Sequence, residues 1–320
     1  MSKPLVSVLI TTYNHEQYIK SAIEGCLIQE TSFPYEIIIH DDASTDNTPK
    51  IIESYVDTYP DKLVPILQKE NQYSKSRRKW TNAIISQSKG KYLARCEGDD
   101  YWIDPQKLEK QIFIMEQDPS ISMCFTAVKV EHIDKLKNNH IKRYYKGNHF
   151  CKPEDIILRG GGFSDIVTTI TRKDIYEDLP IWYDLCPVGD IALNLLAMIK
   201  GNIFYVDHVT AIYRQGVPGS WTKKYFENFD HRKEHIQRLI KFSDSFDRET
   251  DYLYHKINEL KTRNTIINFL IYDKNFKQRD SFLYHRLSGI DKLEVFLFRL
   301  FSPLKLWSIY LRLRRYFKGY

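Results

Sequence analysis

Short apolar runs alternate with amphipathic stretches from the start of the chain to about residue 220. Runs rich in β-branched and aromatic residues predict buried strands at 5–12, 36–40, 63–67, 92–94 and 121–130. Between these runs the apolar residues recur every three or four positions, which predicts helices. Strands that alternate with helices in this way are typical of a parallel, doubly wound α/β sheet.

The pattern becomes less regular after residue 130. Residues 135–150 are polar and basic and predict a long loop, whereas the runs at 166–171, 203–206 and 211–214 predict further strands. Gly189-Asp190 opens a strongly apolar helical pattern.

Polar residues predict where two of the earlier helices begin. Asn14 is a candidate helix cap after the first strand. Asp104, directly before Pro105, should cap the helix that follows the run at 92–94.

The length of 320 residues is sufficient for one large core and a second, smaller one. From about residue 225 the pattern is helical, without a convincing strand. We therefore predict an α/β domain over residues 1–224 and a helical C-terminal region over residues 225–320.

Composition argues against several classes of protein. A net charge of +6 is too small to suggest a nucleic-acid partner. No run of 18 apolar residues predicts a membrane span, and the N-terminus does not have the pattern of a signal peptide. Five scattered cysteines without a CxxC pair favour reduced thiols in a cytoplasmic protein.

Three acidic residues, Glu97, Asp99 and Asp100, closely follow the apolar run at 92–94. Carboxylates this close repel one another unless a cation lies among them, and Mg²⁺ or Mn²⁺ with phosphate oxygens fits such a set. The alternative is a solvated acidic turn that caps the next helix. Since Asp104 already supplies that cap, Glu97 and Asp99 are better explained by a metal.

Acidic residues follow two more elements of the predicted sheet, at Asp42 and at Asp190. In a parallel sheet such loops converge on the carboxyl edge of the strands, where open α/β folds bind their ligands. For Asp190 the alternative is a helix cap. The sequence thus predicts one acidic site made by the loops around Asp42, Asp99 and Asp190.

The chain resembles the family 2 glycosyltransferases over roughly residues 5–221. Four matching pieces carry the resemblance: VLITTYN at 8–14, IHDDASTD at 39–46, GKY at 90–92 with EGDDYW at 97–102, and GD at 189–190 with YR at 213–214. The resemblance implies a GT-A-type, Rossmann-like fold, with a mostly parallel sheet flanked by helices and a C-terminal helical extension. It also implies an inverting, metal-dependent hexosyltransferase that uses a nucleoside-diphosphate sugar.

The resemblance also implies roles for single residues. Residues that match Thr11, Tyr13 and Asp42 hold the nucleobase and ribose, and the neighbouring Asp41 is included in the donor-binding set. Asp99 matches the metal-binding aspartate, with Mg²⁺ or Mn²⁺ as the cofactor. Asp190 matches the catalytic base.

The chain departs from the family pattern at two places. Glu97 replaces the first aspartate of the DxD motif, so its longer side chain is expected to contact ribose or an outer-shell water. The usual Ala-Arg-Asn is missing, and Arg77 or Arg78 is the candidate for a cation that contacts the base. For both arginines a solvated loop is the alternative.

Two other functions remain open. A sugar-nucleotide pyrophosphorylase shares a similar α/β plan, but it needs a glycine-rich loop where this chain has Thr11-Thr12-Tyr13-Asn14. A non-catalytic nucleotide-binding scaffold is the other alternative, although Asp99 and Asp190 are both present. The GxGxxG, GxxxxGK[ST] and GxSxG motifs of other enzyme classes do not occur.

The C-terminal tail combines apolar and basic residues. Residues 290–320 contain seven basic and two acidic residues, a net charge of +5 out of +6 for the chain. Apolar residues recur there at helical spacing, which is typical of a helix lying in a membrane surface. We predict peripheral contact with the inner face of the cell membrane, where a lipid-linked or glycan acceptor for surface polysaccharide would lie. A terminal helix packed on its own domain is the alternative.

Overall fold

The structure is a computed structural model that describes residues 3–73, 75–133, 137–218, 229–272 and 282–301. The chain divides into two compact units, Met1–Lys224 and Tyr225–Tyr320. The first unit contains a sheet flanked by helices, whereas the described residues of the second unit form helices.

Ten strands of the first unit form one sheet. They are β1 (Val6–Thr12), β2 (Tyr35–Asp41), β3 (Leu63–Leu67), β4 (Tyr92–Glu97), β5 (Tyr101–Trp102), β6 (Ile121–His132), β7 (His140–Lys142), β8 (His149–Phe150), β9 (Ile170–Arg172) and β10 (Asn202–Gln215). Their order is β3-β2-β1-β4-β9-β6-β10-β5, with β7 beside β6 and β8 beside β10.

The long strands of this sheet run parallel. β1 pairs in parallel with β2 and β4, β2 with β3, and β6 with β10. The short β9 is antiparallel to both β4 and β6 and lies between them. The predicted fold class, a mostly parallel α/β sheet with flanking helices, is confirmed.

The described residues of the first unit contain seven α-helices beside the sheet. They are α1 (Ile19–Leu27), α2 (Thr48–Thr58), α3 (Arg77–Gln87), α4 (Lys107–Gln117), α5 (Pro153–Arg159), α6 (Ile181–Leu185) and α7 (Gly189–Lys200). Three of them, α1, α2 and α4, bury their apolar faces against one face of the sheet, with Val8, Ile23 and Ile112 in a common core. Side chains alternate between the faces of a strand, so Arg95 and Glu97 of β4 lie on the face opposite Ala94 and Cys96 of that core.

Both predicted caps are wrong. α4 begins at Lys107, with Gln106 and not Asp104 at its N-cap position and no side-chain cap. α1 begins only at Ile19, and no side chain caps it. Asn14 instead adopts a left-handed backbone conformation, with φ at 57°. Its Oδ1 atom accepts a 2.7 Å hydrogen bond from Thr45 N, and its own N donates to Ser44 Oγ at 2.8 Å. Asn14 therefore joins the loops that follow β1 and β2.

Three details of the irregular segment also differ from the predictions. The expected loop at 135–150 contains the short strands β7 and β8. The runs at 203–206 and 211–214 belong to one strand, β10, whose register against β6 shifts between Val206 and Ala211. The run at 166–171 begins as a 3₁₀ turn at Ile166–Thr168 before β9.

The second unit contains α8 (Phe229–Glu249), α9 (His255–Tyr272), α10 (Phe282–His285) and α11 (Gly289–Phe301). Ile240 of α8, Ile267 and Leu270 of α9, and Val295 of α11 share its hydrophobic core. Among the residues that the structure describes, no helix combines the length and the apolar character that crossing a membrane requires.

Candidate functional site

The candidate site lies where β1, β2 and β4 end side by side. In the register of the sheet, Thr11 of β1 lies opposite Glu97 of β4, and Thr12 lies opposite Asp41 of β2. The main chain continues this alignment beyond the strands, because Gly98 N donates a 2.9 Å hydrogen bond to Thr11 O. The loops predicted to hold the donor and the metal therefore start from adjacent points on one sheet edge.

Asp41 and Asp42 are both buried, and each holds a different stretch of backbone. Asp41 folds its own loop, since its Oδ2 accepts from Ser44 N at 2.9 Å and its Oδ1 accepts from Ser44 Oγ. Asp42 reaches the loop that follows β3: its Oδ1 accepts from Gln72 N at 2.8 Å and its Oδ2 from Tyr73 N at 3.1 Å. Asp42 thus links β2 to the polar loop that precedes α3.

Tyr13, in the loop directly after β1, is 42% exposed. A partly exposed aromatic ring at a sheet edge offers a flat surface on which a nucleobase can stack. Thr11, in contrast, uses its backbone oxygen to hold Gly98. Thr11 is therefore bonded directly to the acidic motif, which consists of Glu97, Asp99 and Asp100 with Gly98 between the first two.

Two carboxylates of the acidic motif, those of Glu97 and Asp100, have strongly raised pKa values. Removal from water raises the pKa of Glu97 well above its usual range, and the charges of Asp99 and Asp190 raise it further. The pKa of Asp100 is also raised well above its usual range by burial, with Asp99 and Glu97 adding to the effect. Because the charges of Asp99 and Asp190 both act on Glu97, these two residues predicted from sequence lie in the same region of the structure.

Asp99 is less buried than Asp100, with its side chain 21% exposed. Its Oδ2 atom lies 3.9 Å from His15 Nε2. Asp100 behaves differently, because its Oδ1 accepts from Arg214 N at 2.8 Å, while its buried Oδ2 has no hydrogen-bond partner among the described residues.

The chemistry of these residues fits a hard divalent cation. Crowded carboxylates with raised pKa values are stabilised by a positive charge. Within the described part of the chain, no three histidine, cysteine or acidic side chains form a closed metal cluster. Mg²⁺ in particular often binds through one or two carboxylates with substrate phosphates completing its shell, so Asp99 is suited to such an open site.

Sequence reasoning missed His15, whose ring packs against the glycine of the acidic motif. A Cβ atom on Gly98 would lie 2.5 Å from Thr12 Oγ1 and 2.8 Å from His15 Nδ1. Burial lowers the pKa of His15, against the opposing effects of Asp99, Asp46 and Asp41. The only signal in the sequence is its position directly after the matched residues 8–14.

Asp190 lies in the first turn of α7, where Val188 occupies the N-cap position. Asp190 is therefore not the N-cap residue, and the simple capping alternative does not describe its place. Tyr213 lies in the same acidic surroundings: burial raises its pKa, and Glu97, Asp100, Asp165 and Asp190 raise it further.

The guanidinium of Arg78 is already hydrogen-bonded to another segment of the chain. Its Nε donates to Asp184 Oδ2 at 2.6 Å, its Nη1 to Leu179 O at 3.0 Å and its Nη2 to Pro180 O at 2.8 Å. A contact between Arg78 and the donor stays a prediction that would require exchange of these bonds. Arg77 begins α3, but its side chain lies outside the described residues.

The family of the chain follows from a direct match. Residues 7–177 match the model described as Glycosyl transferase family 2. The chain belongs to the family 2 glycosyltransferases. This match favours a glycosyltransferase over the pyrophosphorylase and the scaffold protein that the sequence left open.

Two relatives illustrate the range of similarity within this family. Uncharacterized protein Rv1520 of Mycobacterium tuberculosis (strain ATCC 25618 / H37Rv) is 34% identical over 220 residues, which cover 69% of this chain and 61% of that protein. The Escherichia coli protein UDP-Glc:alpha-D-GlcNAc-diphosphoundecaprenol beta-1,3-glucosyltransferase WfaP is 37% identical over 114 residues, covering 36% of this chain and 42% of its own. The present chain thus spans 61% of the length of the mycobacterial relative.

Two solved structures of other glycosyltransferases share the fold at 16% sequence identity. S. aureus TarS 1-349 in complex with UDP-GlcNAc has a TM-score of 0.53 and covers 83% of this chain and 80% of its own. The mannosyltransferase PcManGT from Pyrobaculum calidifontis, in complex with GDP-Man and Mn²⁺, has a TM-score of 0.50 and covers 98% of this chain and 83% of its own. These likenesses show the GT-A-type fold.

Proposed function

We propose that this family 2 chain is an inverting glycosyltransferase. It moves a sugar from a nucleoside-diphosphate sugar, with UDP as the favoured nucleotide, to a hydroxyl group of a glycan or lipid-linked acceptor in cell-surface polysaccharide synthesis. The observation that carries the proposal is that the charges of Asp99, in the loop after β4, and of Asp190, in the first turn of α7, both act on the half-buried Glu97.

The donor nucleotide is assigned to the loops after β1 and β2. The exposed ring of Tyr13 and the carboxylate of Asp42 bind the base and ribose, while Asp41 shapes the loop that carries them. Glu97, which lies opposite Thr11 in the sheet, is assigned a contact with the ribose. The complex of TarS with UDP-GlcNAc and the UDP-Glc named for WfaP support UDP as the first nucleotide to test.

A divalent cation, Mg²⁺ or Mn²⁺, is assigned to Asp99. When bound, it supplies positive charge where the departing diphosphate becomes negative. Asp99 suits this role because its carboxylate is the more exposed one in the motif, whereas the Asp100 carboxylate is buried against Arg214. The Mn²⁺ in the PcManGT complex supports the same choice of metal class.

Asp190 is assigned as the general base. Its carboxylate takes the proton of the acceptor hydroxyl while that oxygen attacks the anomeric carbon. The bond from this carbon to the diphosphate oxygen breaks, and the nucleoside diphosphate leaves. A single displacement of this kind inverts the configuration at the anomeric carbon.

The second unit is assigned a peripheral contact with the membrane. On α11, Val295 is buried while Ile290, Leu293 and Phe296 are 78%, 54% and 49% exposed, so this helix presents apolar residues outward. Residues 302–320, the rest of the basic tail, lie outside the described residues. A surface contact of this kind would bring the enzyme to a lipid-linked acceptor, the kind of molecule named for WfaP.

A donor screen tests the proposed function. The purified chain would be incubated with UDP- and GDP-sugars, with and without Mn²⁺, and the released nucleotide measured by mass spectrometry. We expect release of UDP from one donor class only when Mn²⁺ or Mg²⁺ is present. Binding of UDP without release from any donor, in the presence of membrane lipid extracts as acceptor source, would support the scaffold alternative instead.

A further inference from the structure

The guanidinium of Arg78 is hydrogen-bonded to a short segment that leads directly to Asp190. Its three nitrogens donate to Leu179 O, Pro180 O and the carboxylate of Asp184, at 2.6 to 3.0 Å. The two carbonyl groups lie immediately before α6, and Asp184 lies within it. One side chain of α3 therefore holds both the start and the body of α6.

A second contact between α3 and α6 lies one helical turn further on. Thr81 Oγ1 and Tyr183 OH are 3.3 Å apart, and both residues are buried. Residues 78 and 81 are three positions apart, so they share one face of α3. This face consequently fixes α6 at two points.

The position of α6 determines where α7 begins, because only three residues separate the two helices. Cys186 is fully buried and its Sγ donates to Val188 O at 3.3 Å. The same carbonyl oxygen accepts from Ala192 N at 3.2 Å and so starts the backbone ladder of α7. Asp190 lies in this first turn.

We propose that Arg78 is a positioning residue for Asp190. The hydrogen bonds of its guanidinium fix the position of α6, and α6 in turn determines where α7 begins. The first turn of α7 then orients the Asp190 carboxylate toward the acceptor hydroxyl. This inference rests on the proposed function, in which Asp190 is the base. It differs from the role predicted by sequence, since a positioning residue affects the rate of transfer and leaves the affinity for the nucleotide unchanged.

The chemistry of arginine suits this role. A planar guanidinium can donate in several fixed directions at once, whereas a lysine ammonium is a compact charge on a flexible stem. Lysine at position 78 can satisfy Asp184 but cannot hold both carbonyl groups in the same geometry. A displacement of about 1 Å in a catalytic group can cost on the order of a hundredfold in rate.

The experiment compares Arg78→Ala, Arg78→Lys and a matched control, Lys79→Ala, which removes one charge from an exposed neighbour on α3. Affinity for UDP with Mn²⁺ is measured by calorimetry, and turnover by nucleotide release from the donor found in the screen. We expect Arg78→Ala to lower kcat on the order of tenfold or more with unchanged UDP affinity. Arg78→Lys should recover part of the rate, and Lys79→Ala should match the parent chain.

A double-mutant cycle with Asp190→Asn separates positioning from general loss of structure. If Arg78 acts through Asp190, Arg78→Ala should lower kcat in the parent chain but cause no further loss when Asp190→Asn is present. An equal loss in both backgrounds would overturn the inference, as would weakened UDP binding, which would make Arg78 a donor ligand. Normal turnover of Asp190→Asn alone would instead refute the base assignment, and this is measured without any Arg78 variant.

A further variant keeps the test valid if Arg78→Ala fails to fold. Asp184→Asn preserves the shape of the partner side chain and weakens its bond to Arg78 Nε. We expect a smaller loss of kcat in the same direction, again absent in the Asp190→Asn background. A loss of kcat that persists there would contradict the proposal.

Discussion

The backbone nitrogen of Arg214 donates a 2.8 Å hydrogen bond to Asp100 Oδ1, although 114 residues separate the two along the chain. The guanidinium of Arg214 donates a second bond, of 3.0 Å, to the main-chain oxygen of Asp99. The end of β10 therefore fixes the backbone of the acidic motif at the end of β4. Neither bond uses the carboxylate of Asp99, so that side chain can be changed without removing either support.

Replacing Asp99 by asparagine should leave the fold intact and abolish metal-dependent turnover. The substitution keeps the size of the side chain but removes the negative charge that, in our proposal, binds the cation. Turnover is measured against Mn²⁺ concentration, and thermal melting is followed with UDP in the presence and absence of Mn²⁺. The melting temperature without ligand should match the parent chain, whereas stabilisation by Mn²⁺ with UDP should disappear. Parent-level activity of Asp99→Asn in Mn²⁺ would show that the metal assignment is wrong.

Replacing Asp190 by asparagine should lower the rate of transfer on the order of a hundredfold or more, with little change in donor affinity. Asparagine fills the same space in the first turn of α7 but cannot take the proton of the acceptor hydroxyl. The measurements are kcat and the dissociation constant for UDP with Mn²⁺. A variant that unfolds at a lower temperature but transfers sugar at the normal rate would place Asp190 among the structural residues of the helix terminus.

Replacing Gly98 by alanine should destabilise the first unit and disturb the acidic motif. The added Cβ atom would lie 2.5 Å from Thr12 Oγ1 and 2.8 Å from His15 Nδ1, closer than such atoms normally approach. Forced overpacking of this kind costs about 1–3 kcal/mol of the free energy of unfolding. The matched control is Gly162→Ala, where a Cβ would meet nothing within 4 Å. Equal denaturant midpoints for the two variants would contradict the close approach.

The parts of this fold that the sequence predicts well are those set by local patterns. The apolar runs at 8–10 of β1, 37–39 of β2 and 92–94 of β4 are fully buried, so each appears in the sequence as a short continuous hydrophobic segment followed by polar residues. The rule that parallel strands present their carboxyl ends at one edge explains why the loops around Asp42 and Asp99 start side by side. It does not explain Asp190, because β9, the strand before it, is antiparallel to β4 and α6 lies between that strand and Asp190. The predictions for Asp42 and Asp99 needed no knowledge of distant contacts.

The parts that the sequence does not reveal depend on contacts between distant residues. Arg78 and Asp184 are 106 positions apart, and nothing near either one indicates that they pair. The segment that holds β7 and β8 is folded by Asp207, which accepts from Arg143 Nη1 and, at 3.0 Å, from Gly147 N. A polar and basic composition therefore predicted a loop where a distant carboxylate organises short strands.

The second unit should lose stability as the pH rises above the usual pKa of histidine. His255 Nδ1 lies 2.7 Å from Asp247 Oδ2, and this carboxylate raises the pKa of His255. Below the unfolded-state pKa of about 6.5 both states carry the proton, so the stabilisation is fully present; it is lost as the pH rises through the higher folded-state value. Melting temperatures of the parent chain should therefore fall across this window.

The histidine variant His255→Gln isolates this effect. It should show a flatter pH dependence than the parent chain, with the difference between them greatest at the acidic end. The control is His285→Gln, at an exposed histidine of α10 in the same unit. Should His255→Gln keep the full pH dependence of the parent, the pair with Asp247 is not its source.

Membrane binding should depend on the outer face of α11 and on the basic tail together. Ile290, Leu293 and Phe296 are exposed on a helix whose Val295 is buried in the core of the second unit, so serine at the three exposed positions should preserve the fold. Residues 302–320 contain five basic and no acidic residues, and anionic lipid attracts each basic residue by roughly 1 kcal/mol.

Flotation with vesicles of anionic lipid at low salt compares the parent chain, the triple serine variant and a chain ending at Phe301. We expect the parent chain to float and both variants to float less, because the apolar face and the charged tail contribute separately to binding. Raising the salt concentration should weaken binding of the parent chain and leave the truncated chain nearly unaffected, since salt screens the tail's attraction to lipid. Uncharged vesicles serve as the control and should bind little of any chain. If all three chains float equally, or none does at low salt, α11 and the tail are ordinary parts of a packed helical unit.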